Sequence, residues 1–197
     1  PVRARMRGAK SAIAENARPI ASPRTMTMTS TVTSSTTLPA SLLLVSSSVV
    51  VNPSLYEKVP YDVYKSLAPV TLAGSSPNIL VVHPSVPAKN VKELIAYVQA
   101  NPGKVSFASP GFGTTASLAA ESFKYALKLD IQPVPFNGAG PALNAVVAGQ
   151  VQIGFMALPP VTPHLKAGTL RALAMTTEKR VAAAPDVPTM AEVGVPG

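Results

Sequence analysis

Two glycine-rich turns, each between a short apolar run and a helical pattern, are the feature that most constrains the fold of this 197-residue chain. The first turn covers residues 109–115 and the second covers residues 137–141. The order strand, glycine turn, helix is typical of α/β sheets, in which ligands bind beyond the carboxyl ends of the strands. We therefore expect an α/β protein with a largely parallel sheet and helices on its faces.

The rest of the chain repeats this alternation of short apolar runs and helical stripes. The predicted strands are residues 41–45, 67–72, 79–82, 105–108, 131–136, 151–155 and 170–175. Two prolines in the run 131–136 favour an edge strand or a strand end. A short helix or turn is predicted from residue 52, and helices are predicted over 91–101, after each glycine turn and over 163–167. Pro141 is expected at the first position of its helix, Gly149 and Gly168 are expected to end helices, and Thr189 and Glu192 have capping-box spacing.

Charge and composition exclude several classes of function. The net charge is +8, but residues 1–40 hold six of the 17 basic residues and one of the nine acids. The remainder shows no basic stripe interleaved with aromatic residues, so no nucleic acid is expected as a partner. The absence of cysteine excludes disulfides, thiolate metal sites and cysteine nucleophiles. His83 and His164 lack metal-ligand spacing, so no metal site is predicted.

The two ends of the chain look incomplete. Residues 1–40 are basic and rich in serine and threonine, which indicates either a disordered arm or a frame-shifted gene start. No apolar stretch reaches the length of a membrane span, and no export signal is visible. The last predicted helix has only a few residues after Glu192.

The turns themselves are the predicted binding site, for a small anion. Helix N-termini present unpaired N–H groups and partial positive charge, and glycine lets the backbone approach a ligand closely. Tight turns without any ligand remain the simpler alternative for either turn alone. The predicted ligand-binding residues of the two turns are Ser109, Gly111, Gly113, Thr114, Thr115, Asn137, Gly138, Ala139 and Gly140.

An enzyme is not predicted, and neither is a cofactor. Residues 111–116 fit the dinucleotide pattern G-x-G-x-x-A, but Asp130 precedes the second strand instead of following it. The P-loop Gly-Lys-Ser/Thr and the nucleophile elbow G-x-S-x-G are both missing from the chain. A small α/β enzyme that uses a nucleotide remains as a weaker hypothesis.

An ordered set of motifs runs along the chain. Asn52-Pro-Ser-Leu-Tyr begins the set, and Asn137-Gly-Ala-Gly-Pro lies within it. The segments of the set are 52–62, 67–71, 86–95, 101–104, 117–123, 134–143, 149–151, 163–168, 170–174 and 185–189. This set resembles the substrate-binding proteins of tripartite tricarboxylate transporters, the Bug family. Each motif alone is weak, but the ordered series over about residues 41–197 is specific.

This resemblance implies a type II periplasmic-binding-protein-like fold with two lobes. Residues 77–176 would form lobe 2, while residues 41–76 and 177–197 would form an incomplete lobe 1. The implied function is a periplasmic, monomeric protein that captures a small carboxylate and delivers it to the membrane permease subunits of the transporter. A ligand-sensing module of the same fold, coupled to a regulator, is the alternative.

Three departures from the family pattern bear on the site. Residues 1–40 do not resemble the family's opening strand and ligand loop. Many members place an Asp after the strand that matches residues 151–155, where this chain has Met156, which we add to the predicted ligand-binding residues. Ser117 replaces a His that is common in the helix after the first turn. The missing Asp argues against ligands that carry an ammonium group.

Overall fold

The computed structural model describes residues 43–195, and the chain divides into two compact units, Pro1–Ala68 and Pro69–Gly197. In the described part of the first unit, helix α1 spans Ser48–Leu55. The Tyr61 hydroxyl donates a 3.0 Å hydrogen bond to the carbonyl oxygen of Val49, which holds the following loop against this helix. The predicted helix or turn at residue 52 is therefore part of a helix that starts four residues earlier.

The described part of the second unit contains five strands and four helices. In chain order these are β1 (Asn78–Val82), α2 (Val91–Ala100), β2 (Val105–Ser109), α3 (Thr115–Ala126), β3 (Ile131–Pro135), α4 (Ala139–Val147), β4 (Ile153–Ala157), α5 (Leu158–Lys166) and β5 (Arg171–Met175). The alternation expected from the sequence is confirmed, and the protein is of the α/β class.

The five strands form one sheet in the order β3-β2-β4-β1-β5. Strand β2 pairs in parallel with β3 and β4, whereas β1 pairs antiparallel with β4 and β5. Four strands thus run in one direction and β1 runs against them. The predicted edge position of β3 is confirmed, because β3 is the first strand in this order. An edge suits it, since Pro133 and Pro135 have no N–H group to donate to a second neighbouring strand.

Alternating side chains of the sheet enter two hydrophobic clusters. Leu80 and Val82 of β1 belong to a cluster with residues of α2 and α3, and Ile79 and Val81 belong to a cluster with residues of α4 and α5. Successive side chains of a strand point to opposite faces. Helices α2 and α3 therefore cover one face of the sheet, and α4 and α5 cover the other.

Local capping explains where several elements begin and end. The side chain of Asn90 accepts a 2.9 Å hydrogen bond from the Glu93 amide, and Glu93 accepts a 2.7 Å bond from the Lys89 amide. This reciprocal arrangement fixes the start of α2. Gly149 and Gly168 have φ angles of +73° and +70° just after α4 and α5, so both glycines end helices as predicted.

The predicted strand 67–72 is wrong, and so is the predicted strand 41–45 over its described part, since residues 41 and 42 lie outside the described residues. Residues 43–45 and 67–72 have no strand structure, and Leu44 and Leu72 are among the most exposed apolar side chains of the described residues. Apolar character alone does not make a strand, because the backbone also needs a neighbour to pair with. Among the described residues neither segment has such a neighbour, and Pro69 lacks an N–H group to donate.

Two predicted helices start at other residues in the structure, and a third predicted helix is absent from the described residues. Pro141 lies at the third position of α4, behind Ala139 and Gly140, and α5 begins at Leu158 rather than Pro163. Proline is tolerated throughout the first turn because N–H groups there have no partner in the helix. Thr189 and Glu192 form both capping-box hydrogen bonds, but the chain after them makes turns instead of a helix.

The segment after β5 folds back along that strand. Met175 donates a 2.8 Å hydrogen bond to the carbonyl oxygen of Pro188 and accepts one of 2.8 Å from the amide of Met190. The assignment of residues 177–197 to lobe 1 stays a prediction, and so does the interpretation of residues 1–40, which lie outside the described residues. Within residues 43–195, none of the helices has the length and apolar character required to cross a bilayer.

Candidate functional site

One edge of the sheet contains the carboxyl ends of β2, β3, β4 and β5 and the amino end of β1. Ser109 at the end of β2 is in register with Pro135 at the end of β3. Because β1 runs against its neighbours, its first residue, Asn78, pairs with Ala157 at the end of β4. Helices α3, α4 and α5 all begin at this edge. The two glycine turns are therefore neighbours in space.

The first turn is closed by the side chain of Thr114. Its hydroxyl donates a 2.9 Å hydrogen bond to the Gly111 carbonyl oxygen and accepts one of 3.2 Å from the Ser117 amide. Gly111 and Gly113 have φ angles of +130° and +77°, which residues with a Cβ rarely adopt. The turn thus depends on these two glycines for its path and on Thr114 for its closure.

A pair of buried hydroxyl groups lies beneath this turn. The Oγ atoms of Ser109 and Ser117 are 3.0 Å apart, and the two residues are 1% and 5% exposed. Ser109 is the last residue of β2, and Ser117 lies in the first turn of α3. The hydrogen bond therefore joins the strand directly to the helix that starts at the turn.

The second turn is built on Gly138. This residue is the N-cap of α4, with φ of +112° and ψ of 175°, and it has no side chain to cap the helix. The Phe136 amide donates a 2.9 Å hydrogen bond to the carbonyl oxygen of Ser109 and so connects the two turns. Asn137, Ala139 and Gly140 are exposed.

Four backbone amides at the starts of α3 and α4 are available to a ligand. No described residue accepts a hydrogen bond from the amides of Thr115 and Ala116 in α3, or from those of Ala139 and Gly140 in α4. Helix N-termini also carry partial positive charge. Two sets of donors thus lie at one edge, next to adjacent parallel strands.

Helix α5 starts at the same edge but offers few donors. The Leu158 amide already donates a 2.9 Å hydrogen bond to the carbonyl oxygen of Pro77. Pro159 and Pro160 follow and have no N–H group. An anion at this edge would therefore find its backbone donors at α3 and α4, and the N-cap residue Ala157 adds none.

Met156 has a different environment from the exposed residues of the two turns. Its side chain is 5% exposed and belongs to the cluster between the sheet and helices α4 and α5. A Cβ at Gly154 would come within 2.7 Å of the Met156 Cε atom. The structure thus places Met156 in the core beneath the edge, whereas the exposed candidates are Thr115, Asn137, Ala139 and Gly140.

The polar groups of the two glycine turns are uncharged. Neither turn contains a charged side chain, and hydroxyl and amide groups supply the polarity. In the part of the chain that the structure describes, no group of three or more His, Cys, Asp or Glu residues could hold a metal ion. The arrangement can orient an anion by hydrogen bonds, and neither turn holds a general base or a nucleophile activated by one.

Sequence reasoning missed several groups at this edge. Ala116 was not among the candidates, because its contribution is a backbone amide that no side-chain pattern reveals. Asn78 lies there because β1 runs antiparallel to its neighbours, and Thr176 lies there because it follows the carboxyl end of β5. The Thr176 amide donates a 3.0 Å hydrogen bond to the Asn78 carbonyl oxygen. The strand direction is a tertiary property, so residue type alone gave no signal for either.

Comparison with known proteins adds a family to this geometry. Residues 4–197 match the model of the tripartite tricarboxylate transporter family receptor. The curated protein BugT of Bordetella pertussis (strain Tohama I) is 39% identical over 158 residues, which cover 79% of this chain and 48% of BugT. The chain thus spans about half the length of the curated relatives it matches.

Solved structures agree in fold. A protein of R. palustris with adipate has a TM-score of 0.69 and 36% identity, over 72% of this chain and 48% of its own. MatC from Rhodopseudomonas palustris with bound malate has a TM-score of 0.59 and 33% identity, over 61% of this chain and 41% of its own. A solved periplasmic transporter has a TM-score of 0.69 and 38% identity, over 77% of this chain and 49% of its own.

Proposed function

The chain belongs to the tripartite tricarboxylate transporter family of receptors, and we propose that it captures a small carboxylate at the edge formed by its two glycine turns. The observation that carries this proposal is the set of four unpartnered amides at the starts of α3 and α4. These donors point to a negatively charged group, because an anion gains from both the hydrogen bonds and the helix dipoles.

The proposed contacts follow from the unpartnered amides at the two helix starts and from the exposed side chain of Asn137. The amides of Thr115, Ala116, Ala139 and Gly140 and the side chain of Asn137 would surround the carboxylate. Gly111, Gly113 and Gly138 would act through the shape of the turns, since their φ angles are all positive. Ser109 and Met156 would support the site from the core.

Dicarboxylates are the ligand class that the relatives favour. Two of the similar structures were solved with adipate and with malate. Helices α3 and α4 lie on opposite faces of the sheet and begin at the same edge. A carboxylate at this edge would therefore meet donors from both sides, while a second carboxylate would be recognised elsewhere in the whole protein.

We further propose delivery to the membrane subunits of a tripartite transporter, from the periplasm and as a monomer. The receptor family and the periplasmic binding proteins among the similar structures support this role. The same relatives support a binding role in place of an enzymatic one.

Calorimetric titration of the full-length protein with adipate, malate and the uncharged adipamide tests the binding proposal. Thr115→Asp provides a site variant, because a carboxylate at the first position of α3 would occupy the donors and repel the ligand. The same change stabilises a helix start by about 0.3–1 kcal/mol, so lost binding could not be attributed to unfolding. Thr169→Asp makes the identical exchange at an exposed position before β5, at the opposite edge.

We expect a dicarboxylate to bind the wild type and Thr169→Asp equally, adipamide not to bind, and Thr115→Asp to lose affinity by at least about tenfold, equivalent to 1.4 kcal/mol. Unchanged affinity in Thr115→Asp would place the ligand elsewhere. If no carboxylate binds and a nucleotide binds instead, the proposal is overturned in favour of a small α/β enzyme that uses a nucleotide.

A further inference from the structure

The two adjacent threonines of the first turn differ in what their hydroxyl groups do. The Thr114 hydroxyl donates to the Gly111 carbonyl oxygen at 2.9 Å and accepts from the Ser117 amide at 3.2 Å. A hydroxyl has a single proton to donate, so Thr114 has none left for a ligand. Thr115 is exposed, and no described residue forms a hydrogen bond with its hydroxyl.

Thr114 also accepts a hydrogen bond from one of the amide donors at the start of α3. Its side chain satisfies the Ser117 amide, which is one of the donors that a helix start leaves open. The Thr115 and Ala116 amides lie between Thr114 and Ser117 and remain unpartnered among the described residues. The Thr114 cap thus accepts from the Ser117 amide, and the Thr115 and Ala116 amides remain available to a ligand.

A second bond ties the same turn to the sheet. The buried pair Ser109 and Ser117, with hydroxyl oxygens 3.0 Å apart, joins the end of β2 to the first turn of α3. Ser117 therefore has its amide fixed by Thr114 and its hydroxyl fixed by Ser109. Between these bonds lie Gly111 and Gly113, whose backbone freedom is the largest of any residue type.

We propose that Thr114, with the pair Ser109 and Ser117, is a positioning residue that holds the turn in its anion-accepting shape, and that Thr115 provides the only threonine hydroxyl of this turn that contacts the carboxylate. The proposal deepens the function proposed above and rests on it for the identity of the ligand. The positioning part also stands on its own, because it predicts the behaviour of the turn without ligand.

Three variants separate the two roles. Thr114→Val removes both hydrogen bonds while keeping the branched shape, Thr114→Ser restores the hydroxyl, and Thr115→Val removes only the exposed hydroxyl. Adipate and malate titrations of the full-length protein give affinities. Amide hydrogen exchange of the ligand-free protein, followed for peptides that cover residues 109–118, reports the order of the turn.

We expect Thr114→Val to accelerate exchange in residues 109–118 and to weaken dicarboxylate binding by about tenfold or more, and Thr114→Ser to recover most of both losses. Thr115→Val should weaken binding by about five- to tenfold, the usual effect of one lost hydrogen bond, with unchanged exchange. Val98→Ala, a cavity variant in the fully buried face of α2, controls for general destabilisation and should leave affinity unchanged.

Several results would overturn the inference. Wild-type exchange in Thr114→Val would show that Thr114 does not hold the turn, whatever binds. Failure of Thr114→Ser to restore the affinity, or full affinity in Thr115→Val, would remove the division of roles. If the wild type binds no carboxylate, the proposed function fails, and the exchange measurements still decide whether Thr114 positions the turn.

Discussion

The amide of Phe136 donates a 2.9 Å hydrogen bond to the carbonyl oxygen of Ser109. This bond continues the parallel pairing of β2 and β3 by one step, past the last register pair of Ser109 and Pro135. Ser109 is the first residue of the first glycine turn, and Phe136 stands immediately before the second. The relative position of the two turns is therefore set by the sheet, and a ligand that contacts both meets a preformed surface.

Gly138 should be intolerant of any side chain. A Cβ there would meet no atom within 4 Å, so the cost of Gly138→Ala comes from its φ of +112°. Backbone strain of this kind costs about 1–3 kcal/mol, and we expect loss of carboxylate affinity as α4 shifts. Gly140→Ala is the matched control, because its Cβ is equally unobstructed and its φ is not in the positive range. Chemical denaturation should show Gly140→Ala at least as stable as the wild type, and equal stability of the two variants would contradict the strain argument.

Gln152 should stabilise the sheet where strand pairing stops. Its Oε1 accepts hydrogen bonds of 3.0 Å from the Ser106 amide and 2.9 Å from the Ser106 hydroxyl. Gln152→Ala leaves a half-buried amide without an acceptor, which costs about 1–3 kcal/mol. Gln132→Ala removes an exposed hydrogen bond to Asp130 and should change the free energy of unfolding by less than about 0.5 kcal/mol. Urea denaturation of both variants checks the difference, and similar losses in the two would refute it.

Met156 should act through packing. Because its side chain is 5% exposed, Met156→Ala creates a cavity and is expected to cost about 2–5 kcal/mol. Met156→Leu conserves volume and should cost less than about 1.5 kcal/mol. We expect calorimetry to find the carboxylate affinity of Met156→Leu within twofold of the wild type. A tenfold loss in this variant, with stability retained, would instead make Met156 a ligand contact.

Glu192 should make the segment after β5 sensitive to acid. The hydrogen bond from the Thr189 amide and the bond from Arg180 lower the pKa of Glu192 from its ordinary value of 4.5. A lowered pKa in the folded state gives stabilisation that is present above the unfolded pKa and is lost as pH falls through the folded pKa. The stability difference between the wild type and Glu192→Gln should thus be constant near neutral pH and shrink below about pH 4.5.

Thermal unfolding between pH 3 and pH 7 measures this dependence. The effect should be small and reduced by salt, because the Arg180 and Glu192 side chains are both 46% exposed. Arg180→Met serves as the second variant, since it removes the ion pair and keeps the Thr189 capping bond. A stability difference that grows as the pH falls would contradict the predicted sign.

The sequence was sufficient where the signal was local. The helix at Val91, the glycines that end α4 and α5 and the edge position of β3 follow from periodicity, capping and the chemistry of glycine and proline. The α/β class followed from the alternation of elements. Local patterns failed at residues 43–45 and 67–72, since an apolar run becomes a strand only beside a partner that the run itself does not specify.

For the site, residue types and their order along the chain determined that two glycine turns precede two helices, because residues other than glycine rarely adopt the positive φ angles found at Gly111, Gly113 and Gly138. The tertiary structure decided which donors remain available. The Leu158 amide donates its hydrogen bond to the Pro77 carbonyl oxygen, and the Phe136 amide donates to the Ser109 carbonyl oxygen. The packing of the sheet places Met156 in the core. Pairing and burial depend on segments far apart in the chain, so they become visible only once the strands are arranged.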